Sequence, residues 1–391
     1  MFHLVPNPLL DFYCVIIIIL IVCFNYLSMI RGRKGTNYLF FVFVILFFSL
    51  LYKPEGGDFW SYYKLYELGS DFPYKHMEQF YYWVMELIPN NYIMWRIAIW
   101  LPSAIFIALI FKLLKIPSCI ATTIFLSFAL TSSYYYTRNV LALSVLYIGL
   151  TLCSINLKFH NSNYNQLMLK SSGDNNMEYL KFYNYIFKYK YIGLLLFLTL
   201  AIISWFLHKS MPMYILVAVI SIFLPYNKKY IYYAIILFPF LYGIIMLVAD
   251  HFLQMDEIWV VQDSGKNYLY AINAKTVNWK GVIALVFKYI PYLYFYLAVF
   301  LNPLEEDNFD FKSFKTFLFF SFFTFYLSFL FLGHGSSAIQ GRIYKSSMLP
   351  FSIMSCIYFK HKMQHKQCKM LIKLILFYYA FNCVLSIYIN L

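Results

Sequence analysis

The sequence predicts an all-α, polytopic transmembrane bundle of about twelve spans, and three observations carry that prediction. Hydrophobic residues make up 62% of the 391 positions and charged residues only 12%, with a mean hydropathy of +0.64. A soluble domain is about half apolar and about a quarter charged. Apolar runs recur along the chain at close to the ~20 residues a helix needs to cross a ~30 Å hydrocarbon core. The basic residues, 31 Lys and Arg against 17 Asp and Glu, fall largely in the short segments between those runs. A transmembrane barrel would show shorter, alternating segments. In lipid a helix satisfies its own backbone polar groups, so the runs are read as helices.

The spans are expected at residues 10–30, 38–52, 92–111, 117–135, 140–157, 191–207, 211–225, 230–248, 282–301, 317–333, 343–359 and 370–389. The first run lacks a basic leader and a small-residue cleavage site, so it is expected to be a span and not a removed signal. Residues 80–89 are too few to cross and are expected to be re-entrant or interfacial. Arg31, Arg33 and Lys34 follow the first span, which places that loop in the cytoplasm and the N-terminus outside. Alternation then puts the loops with Lys112 and Lys115, Lys158 to Lys190, Lys228 and Lys229, and Lys360 to Lys369 on the cytoplasmic side. The segment with Glu305, Glu306, Asp307 and Asp310 departs from the trend, though Lys312 and Lys315 accompany it. Three connecting regions stand out: an external acidic-aromatic loop at 53–91, a cytoplasmic connector at 156–190, and an external loop at 249–281.

The net charge of +14 is read as topology and attraction to anionic lipid head groups, not as nucleic-acid binding. All seven cysteines but Cys368 lie in apolar runs, with no CxxC or Cys/His metal spacing, so they read as small packing residues. No Walker A loop, HExxH, EF-hand loop or GxSxG elbow occurs. No cofactor is implied, and a metal-independent site is favoured. Tyr and Phe number 39 and 42. Some of these belong to an interfacial belt and to lipid-facing packing.

Four polar clusters fall on the external side. The first is Gly56-Gly57-Asp58-Phe59-Trp60-Ser61-Tyr62-Tyr63, with Glu78 downstream. Carboxylates take hydrogen bonds from sugar hydroxyls, rings such as Trp60 and Tyr62 cover a sugar's apolar face, and Asp58 or Glu78 could deprotonate an acceptor hydroxyl. A solvated loop with interfacial aromatics explains the same residues. The second is Thr137-Arg138-Asn139 at the head of a helix. There Arg138 either snorkels or grips a phosphate beside the helix N-terminus. The third is His208-Lys209-Ser210 between two spans with almost no loop. His208 either contacts a diphosphate, acts as an acid or base, or is a satisfied interfacial histidine. The fourth is Gly333 to Lys345, whose glycines allow close backbone approach and whose Arg342 and Lys345 enter the next helix. Arg96, near an external helix start, is a further candidate, and Lys288 lies mid-span.

At these clusters the chain resembles the EpsG-type family of Wzy-like exopolysaccharide and O-antigen polymerases. The resemblance rests on Gly-Asp-Phe-Trp-Ser-Tyr-Tyr at 57–63 with Glu78 downstream, Thr-Arg-Asn-Val-Leu-Ala at 137–142, Leu-His-Lys-Ser at 207–210 and Gly-Arg-Ile-Tyr at 341–344. Asn139 departs from the family, where Gln commonly follows the Arg. The resemblance implies a GT-C-like glycosyltransferase in a bacterial inner membrane, with its site open to the exterior. It implies transfer of a growing glycan from one undecaprenyl diphosphate onto a repeat unit carried by another, with membrane lipids and a chain-length regulator as further partners. By the same resemblance Arg138, His208, Lys209 and Arg342 are expected to contact the diphosphate. Asp58 is expected to position or deprotonate the acceptor, with Glu78 second. Trp60, Tyr62, Lys345 and Arg96 are expected to line the substrate. The alternatives are a lipid-linked oligosaccharide flippase, another polyprenyl-phosphate-sugar transferase or O-antigen ligase, and an acyltransferase. The last is disfavoured because His208 has no carboxylate partner nearby in sequence.

Overall fold

The computed structural model describes residues 8–30, 37–51, 78–88, 92–126, 137–159, 191–254, 279–306, 308, 310–330, 337–362 and 370. Every regular element among the described residues is helical. Two helices, α1 (Pro8–Ile30) and α2 (Tyr38–Leu51), open the chain, and the nine-residue α3 (Gln79–Leu87) precedes α4 (Tyr92–Leu113) and α5 (Ser118–Phe125). Next come α6 (Thr137–Phe159), α7 (Ile192–Leu207), α8 (Met211–Phe223) and α9 (Tyr230–Gln254). Last are α10 (Trp279–Leu301), α11 (Phe311–Leu330) and α12 (Ser337–Lys362). Among the described residues, the segments Tyr92–Leu113 of α4, Asn139–Leu157 of α6 and Phe311–Leu330 of α11 are long and apolar enough to cross a membrane, and shorter apolar stretches occur in α1, α2, α7, α8, α9 and α10. With the apolar side chains that α7 and α9 turn outward (Leu195, Ile202, Phe206, Ile235, Ile236 and Phe240 among them), this marks a membrane-embedded protein.

The bundle is organised around α6. Of its apolar window 89% is buried inside the protein, against 50% for α4. It packs on α4, α7, α8, α11 and α12. A helix that is apolar all round in sequence is a core helix, and α6 carries no charge from Val140 to Leu157. The residues where its neighbours come closest are small. Gly149 lies against Phe197 and Leu200 of α7, where an added Cβ would meet the Phe197 Cα and the Leu200 Cβ at 3.2 Å. Gly193 of α7 lies against Asn156 of α6, and a Cβ there would come within 2.3 Å of the Asn156 Cβ. Nearer the other end, Ser204 Oγ donates to the Ala142 carbonyl at 2.9 Å. Small residues and short hydroxyls let helix backbones approach where apolar burial alone does not drive them together.

Among the described residues, a dense set of aromatic side chains packs inside the protein. Tyr289, Tyr292, Phe295 and Tyr296 of α10 meet Phe325 and Phe329 of α11 and Tyr344 and Phe351 of α12. The ring centroids lie 4.5 Å apart for Tyr289–Phe329, 4.9 Å for Phe295–Phe351 and 5.3 Å for Tyr296–Phe325. Edge and tilted contacts at these separations contribute beyond burial. Cys119, Cys153 and Cys356 are buried and in no disulfide, while Cys23, also in none, is exposed.

One end of the bundle is tied together by lysines. Lys312 Nζ donates to the Leu157 carbonyl at 2.7 Å, and Lys315 Nζ donates to the carbonyls of Leu224 at 2.7 Å and Ile222 at 3.2 Å. Lys360 Nζ donates to the Leu114 carbonyl at 3.0 Å and to Asp310 Oδ2 at 2.7 Å, and His361 Nε2 meets the same oxygen at 2.7 Å. The ammonium groups thus satisfy carbonyls left open at the C-terminal ends of α4, α6 and α8, the negative poles of those helices. The phenol of Tyr38 reaches the Ile116 carbonyl at the same end. Among the described residues, the segments around Leu114, Leu157, Leu224, Asp310 and Lys360, which alternation assigned to one side, therefore meet at one end of the protein.

Several boundaries differ from the sequence reading. Helix α11 starts at Phe311, not residue 317, so Lys312 and Lys315 are helical. Their long side chains reach back to neighbouring helix ends, which makes charge compatible with a helix start. Likewise α12 starts at Ser337, not 343, and takes Gln340, Gly341 and Arg342 into its first turns. Asn156, assigned to the 156–190 connector, is a buried residue of α6, and 157–159 remain helical. The loop expected at 249–281 narrows in the same way, because α9 runs to Gln254 and α10 begins at Trp279. Residues 80–89, expected to be too few to cross, fall largely in the nine-residue helix α3, which at 1.5 Å per residue is indeed too short to span. Only residues 118–125 of the fourth expected span form the described helix α5. Of the last expected span only Met370 is described; the rest of it, most of 53–91, residues 160–190 and 255–278 lie outside the described residues.

Two stability outcomes follow from this packing. Gly193→Ala should lower the unfolding temperature by the equivalent of about 1–3 kcal/mol of overpacking. Gly243→Ala, where an added Cβ meets nothing within 4 Å, should raise it by about 0.5–1 kcal/mol, as expected for Ala over Gly within a helix. Thermal unfolding of both variants in one detergent tests this, and equal shifts would contradict the α6–α7 contact. The end of α4 offers the second. Ile116 N–H bonds the Phe111 carbonyl and Lys115 N–H the Lys112 carbonyl, both at 3.0 Å, and Lys115 has φ 51. That is a Schellman ending with lysine where glycine is usual. Burial and then the nearby Lys360 hold the Lys115 ammonium below its ordinary range, with Asp310 opposing them. Lys115→Gly should therefore stabilise the protein by about 0.5–1 kcal/mol, read by the same unfolding measurement.

Candidate functional site

The opposite end of the bundle collects side chains from three distant segments. Helix α7 ends at Leu207 and α8 starts at Met211, so only His208, Lys209 and Ser210 connect two antiparallel helices. His208 is extended, and its N–H still bonds the Ser204 carbonyl at 3.0 Å. Met211 N–H bonds the His208 carbonyl at 3.1 Å, with Pro212 pre-set for the first turn of α8. Pro suits that place because its missing N–H would be unused there.

The Lys209 N–H, inside this tight turn, donates to Glu78 Oε1 at 3.1 Å. Glu78 is the N-cap of α3, yet its side chain makes no capping hydrogen bond to that helix. It crosses instead to the α7–α8 turn, is only 7% exposed, and lies with Oε1 3.6 Å from His208 Nδ1. Its charge also stands near the N-terminus of α8, the favourable pole for an anion. Ser210 N–H donates to His208 Nδ1 at 3.2 Å, and Ser210 Oγ lies at the same distance from that nitrogen. The Ser210 hydroxyl also donates to Asn139 Oδ1 at 3.4 Å. Asn139 is buried in the first turn of α6, one residue after Arg138.

Three of the four sequence clusters therefore meet: Glu78 from the first, Asn139 from the second, and His208, Lys209 and Ser210 as the third. For the fourth, the backbone of Arg342 lies in the first turns of α12. The basic end holds the C-terminus of that helix, so its start lies toward the same end as this cluster. Lys345 is half-buried in α12, beside Tyr344 in the aromatic layer. Arg96 is buried in the second turn of α4, its guanidinium 6.0 Å from the centre of the Tyr92 ring. Trp95 Nε1 donates to the Tyr81 carbonyl at 3.4 Å and so docks α3 on this end of α4. The side chains of Arg138, Arg342 and Lys288, and all of Asp58, Trp60 and Tyr62, lie outside the described residues.

The sequence reading gave His208 no carboxylate partner, and the fold supplies one. Glu78 lies 130 positions upstream of His208, and no local spacing predicts that approach. Ser210 and Asn139 were visible in the motifs but drew no role. Their signal is the tightness of the turn, which forces polar backbone and side-chain groups together. Among the described residues no group of three His, Cys, Asp or Glu is placed to hold a metal ion. No protein-family model, curated protein or solved structure matches this chain. What fold and site define is thus an all-helical, membrane-embedded bundle with a His–Glu–Ser–Asn cluster at one end and a lysine-capped end opposite.

If the two ends face opposite sides of a membrane, single cysteines at Ser210 and Lys115 in a cysteine-depleted protein should label from opposite sides. A membrane-impermeant maleimide applied to intact cells, then to inverted vesicles, makes the comparison. Labelling of both from one side would exclude the bundle orientation described here.

Proposed function

We propose that the chain is a membrane glycosyltransferase that polymerises polysaccharide repeat units carried on undecaprenyl diphosphate, working at the external end of the bundle. The observation that carries the reading is the meeting of Glu78, Asn139 and His208–Ser210 at one end, with Arg138 and Arg342 on helix starts at that same end. Among the described residues that bear the family resemblance, Glu78, Asn139 and His208 to Ser210 are far apart in sequence and come together in space.

In this reading an acceptor hydroxyl attacks the anomeric carbon of the donor glycan. The new glycosidic C–O bond forms as the C–O bond to the lipid diphosphate breaks, and the acceptor proton passes to a base. The leaving diphosphate gains negative charge as the bond breaks. Positive groups and helix N-termini fixed at that depth stabilise it more in the transition state than in the ground state. Arg138, Arg342, His208 and Lys209 are assigned to the diphosphate. Asp58 is assigned to the acceptor, as its positioning carboxylate or base, with Trp60 and Tyr62 against the sugar.

Two observations favour this over its rivals. A flippase needs cations along a central path, whereas α6, the core of the bundle, is uncharged from Val140 to Leu157 and closely packed. An acyl-transfer relay needs a nucleophile on one imidazole nitrogen and the orienting carboxylate on the other. Here Ser210 Oγ and Glu78 Oε1 both approach Nδ1.

Deletion of the gene in a polysaccharide producer should leave single repeats on the lipid carrier at the outer face. Loss of a flippase would instead trap lipid-linked units inside. Arg138→Gln and Arg342→Gln should each lower chain extension by about 10²–10³-fold while membrane insertion, followed by immunoblot, is unchanged. Long chains of normal abundance in both variants would remove the assignment.

A further inference from the structure

We infer that Glu78 is a positioning residue whose bond to the α7–α8 turn fixes His208 in the tautomer that carries its proton on Nε2. The inference rests on the reading of this end as the ligand site, and it changes what the histidine does there.

The argument starts at Ser210. A backbone amide N–H only donates, so Ser210 N–H at 3.2 Å from Nδ1 requires a lone pair on that nitrogen. In the neutral ring the proton then sits on Nε2. The Ser210 hydroxyl has one proton, shared between Nδ1 at 3.2 Å and Asn139 Oδ1 at 3.4 Å, and its donation to Nδ1 uses the same lone pair that the amide does. Glu78 Oε1, at 3.6 Å from Nδ1, is too far for a hydrogen bond to the ring. It acts through the chain instead. By accepting the Lys209 N–H at 3.1 Å it holds the His208–Lys209 peptide, and the next peptide, Lys209–Ser210, turns its Ser210 amide toward the ring. A carboxylate bond sheltered from water, as at the 7%-exposed Glu78, is the stronger kind.

The chemical consequence is directional. A ring whose Nδ1 accepts the Ser210 N–H and whose Nε2 carries hydrogen has no lone pair left with which to take a proton, and can act only as a donor. His208 therefore suits a phosphoryl or leaving-group oxygen and does not serve as the base for an acceptor hydroxyl. Glu78, assigned from sequence to the substrate, works on the turn.

The test uses full-length protein with 15N-labelled histidine in lipid nanodiscs at alkaline pH, where the imidazole is neutral. The His208→Asn difference spectrum identifies the two ring nitrogens. The unsubstituted protein should show a protonated Nε2 and an unprotonated Nδ1 as distinct signals. Glu78→Gln, whose amide oxygen still accepts the Lys209 N–H, should keep them. Glu78→Ala should average them toward exchanging tautomers. In a producing strain Glu78→Gln should keep polymer yield within about threefold and Glu78→Ala should lower it about tenfold or more. His208→Gln, which places an NH2 near the Nε2 position, should retain more activity than His208→Asn. A proton on Nδ1 in the unsubstituted protein overturns the inference. So does a Glu78→Ala spectrum identical to the parent, or Glu78→Gln as inactive as Glu78→Ala. The unsubstituted and Glu78→Gln spectra serve even if Glu78→Ala does not fold. Should the strain make no polymer dependent on this protein, the functional reading falls while the spectra still support or overturn the positioning role.

Discussion

The approach of α6 and α7 constrains everything at the site. Gly149 and Gly193 remove the side chains that would hold the two helices apart, and Asn156 fills the space that Gly193 leaves. Membrane helices gain little from burying apolar surface against each other, because lipid is equally apolar, so close van der Waals fit has to supply the cohesion. Once the two helices run antiparallel at this separation, the end of α7 must fall beside the start of α6. Ser204 records the registration by bonding the Ala142 carbonyl. The three-residue turn that follows has no slack, and so His208 and Ser210 are delivered next to Asn139.

The two ends of the bundle use charge in different ways. At the basic end, lysines close the carbonyl ends of neighbouring helices, and Asp310 gathers Lys360 and His361 on one oxygen. Those cations are committed to structure. Their long stems let the ammonium groups reach carbonyls on other helices while the backbone stays helical. At the other end a carboxylate, Glu78, is committed to a backbone N–H of a turn. A carboxylate near the start of α8 and lysines near the ends of α4, α6 and α8 both match the helix dipole. The same rule makes the site end a place where anions are welcome, since the starts of α6, α8 and α12 lie toward it.

Much of the fold was legible in the sequence because hydrophobic length and lysine placement are local signals. The apolar runs mark where most helices lie, and the alternation of basic segments anticipates that the ends of α4, α6, α8 and α12 meet. Boundaries at polar residues were less legible. Lys312 and Lys315 read as loop, because a pattern of apolar runs does not register that a lysine can sit in a helix and cap another. Asn156 read as the start of a connector, since nothing local says that Gly193 would be its partner. The role of tyrosine and phenylalanine was similarly hidden. Composition cannot distinguish a ring at the membrane interface from one locked between α10, α11 and α12.

The site was legible as a set of places and illegible as a set of relations. His208, Lys209, Glu78 and Arg138 drew attention because polar groups at the edge of an apolar run need a reason. Their roles depend on which atom faces which, and that depends on the fold. The difference between Glu78 as a base and Glu78 as a brace is one hydrogen bond across 131 positions, from the Lys209 N–H to Oε1. The difference between His208 as acceptor and as donor is the direction of another, from the Ser210 N–H to Nδ1. Because a backbone amide cannot reverse its role, that second bond constrains the chemistry more than the identity of the histidine does. A residue type names the reactions available to a site, and the fixed donors around it select among them.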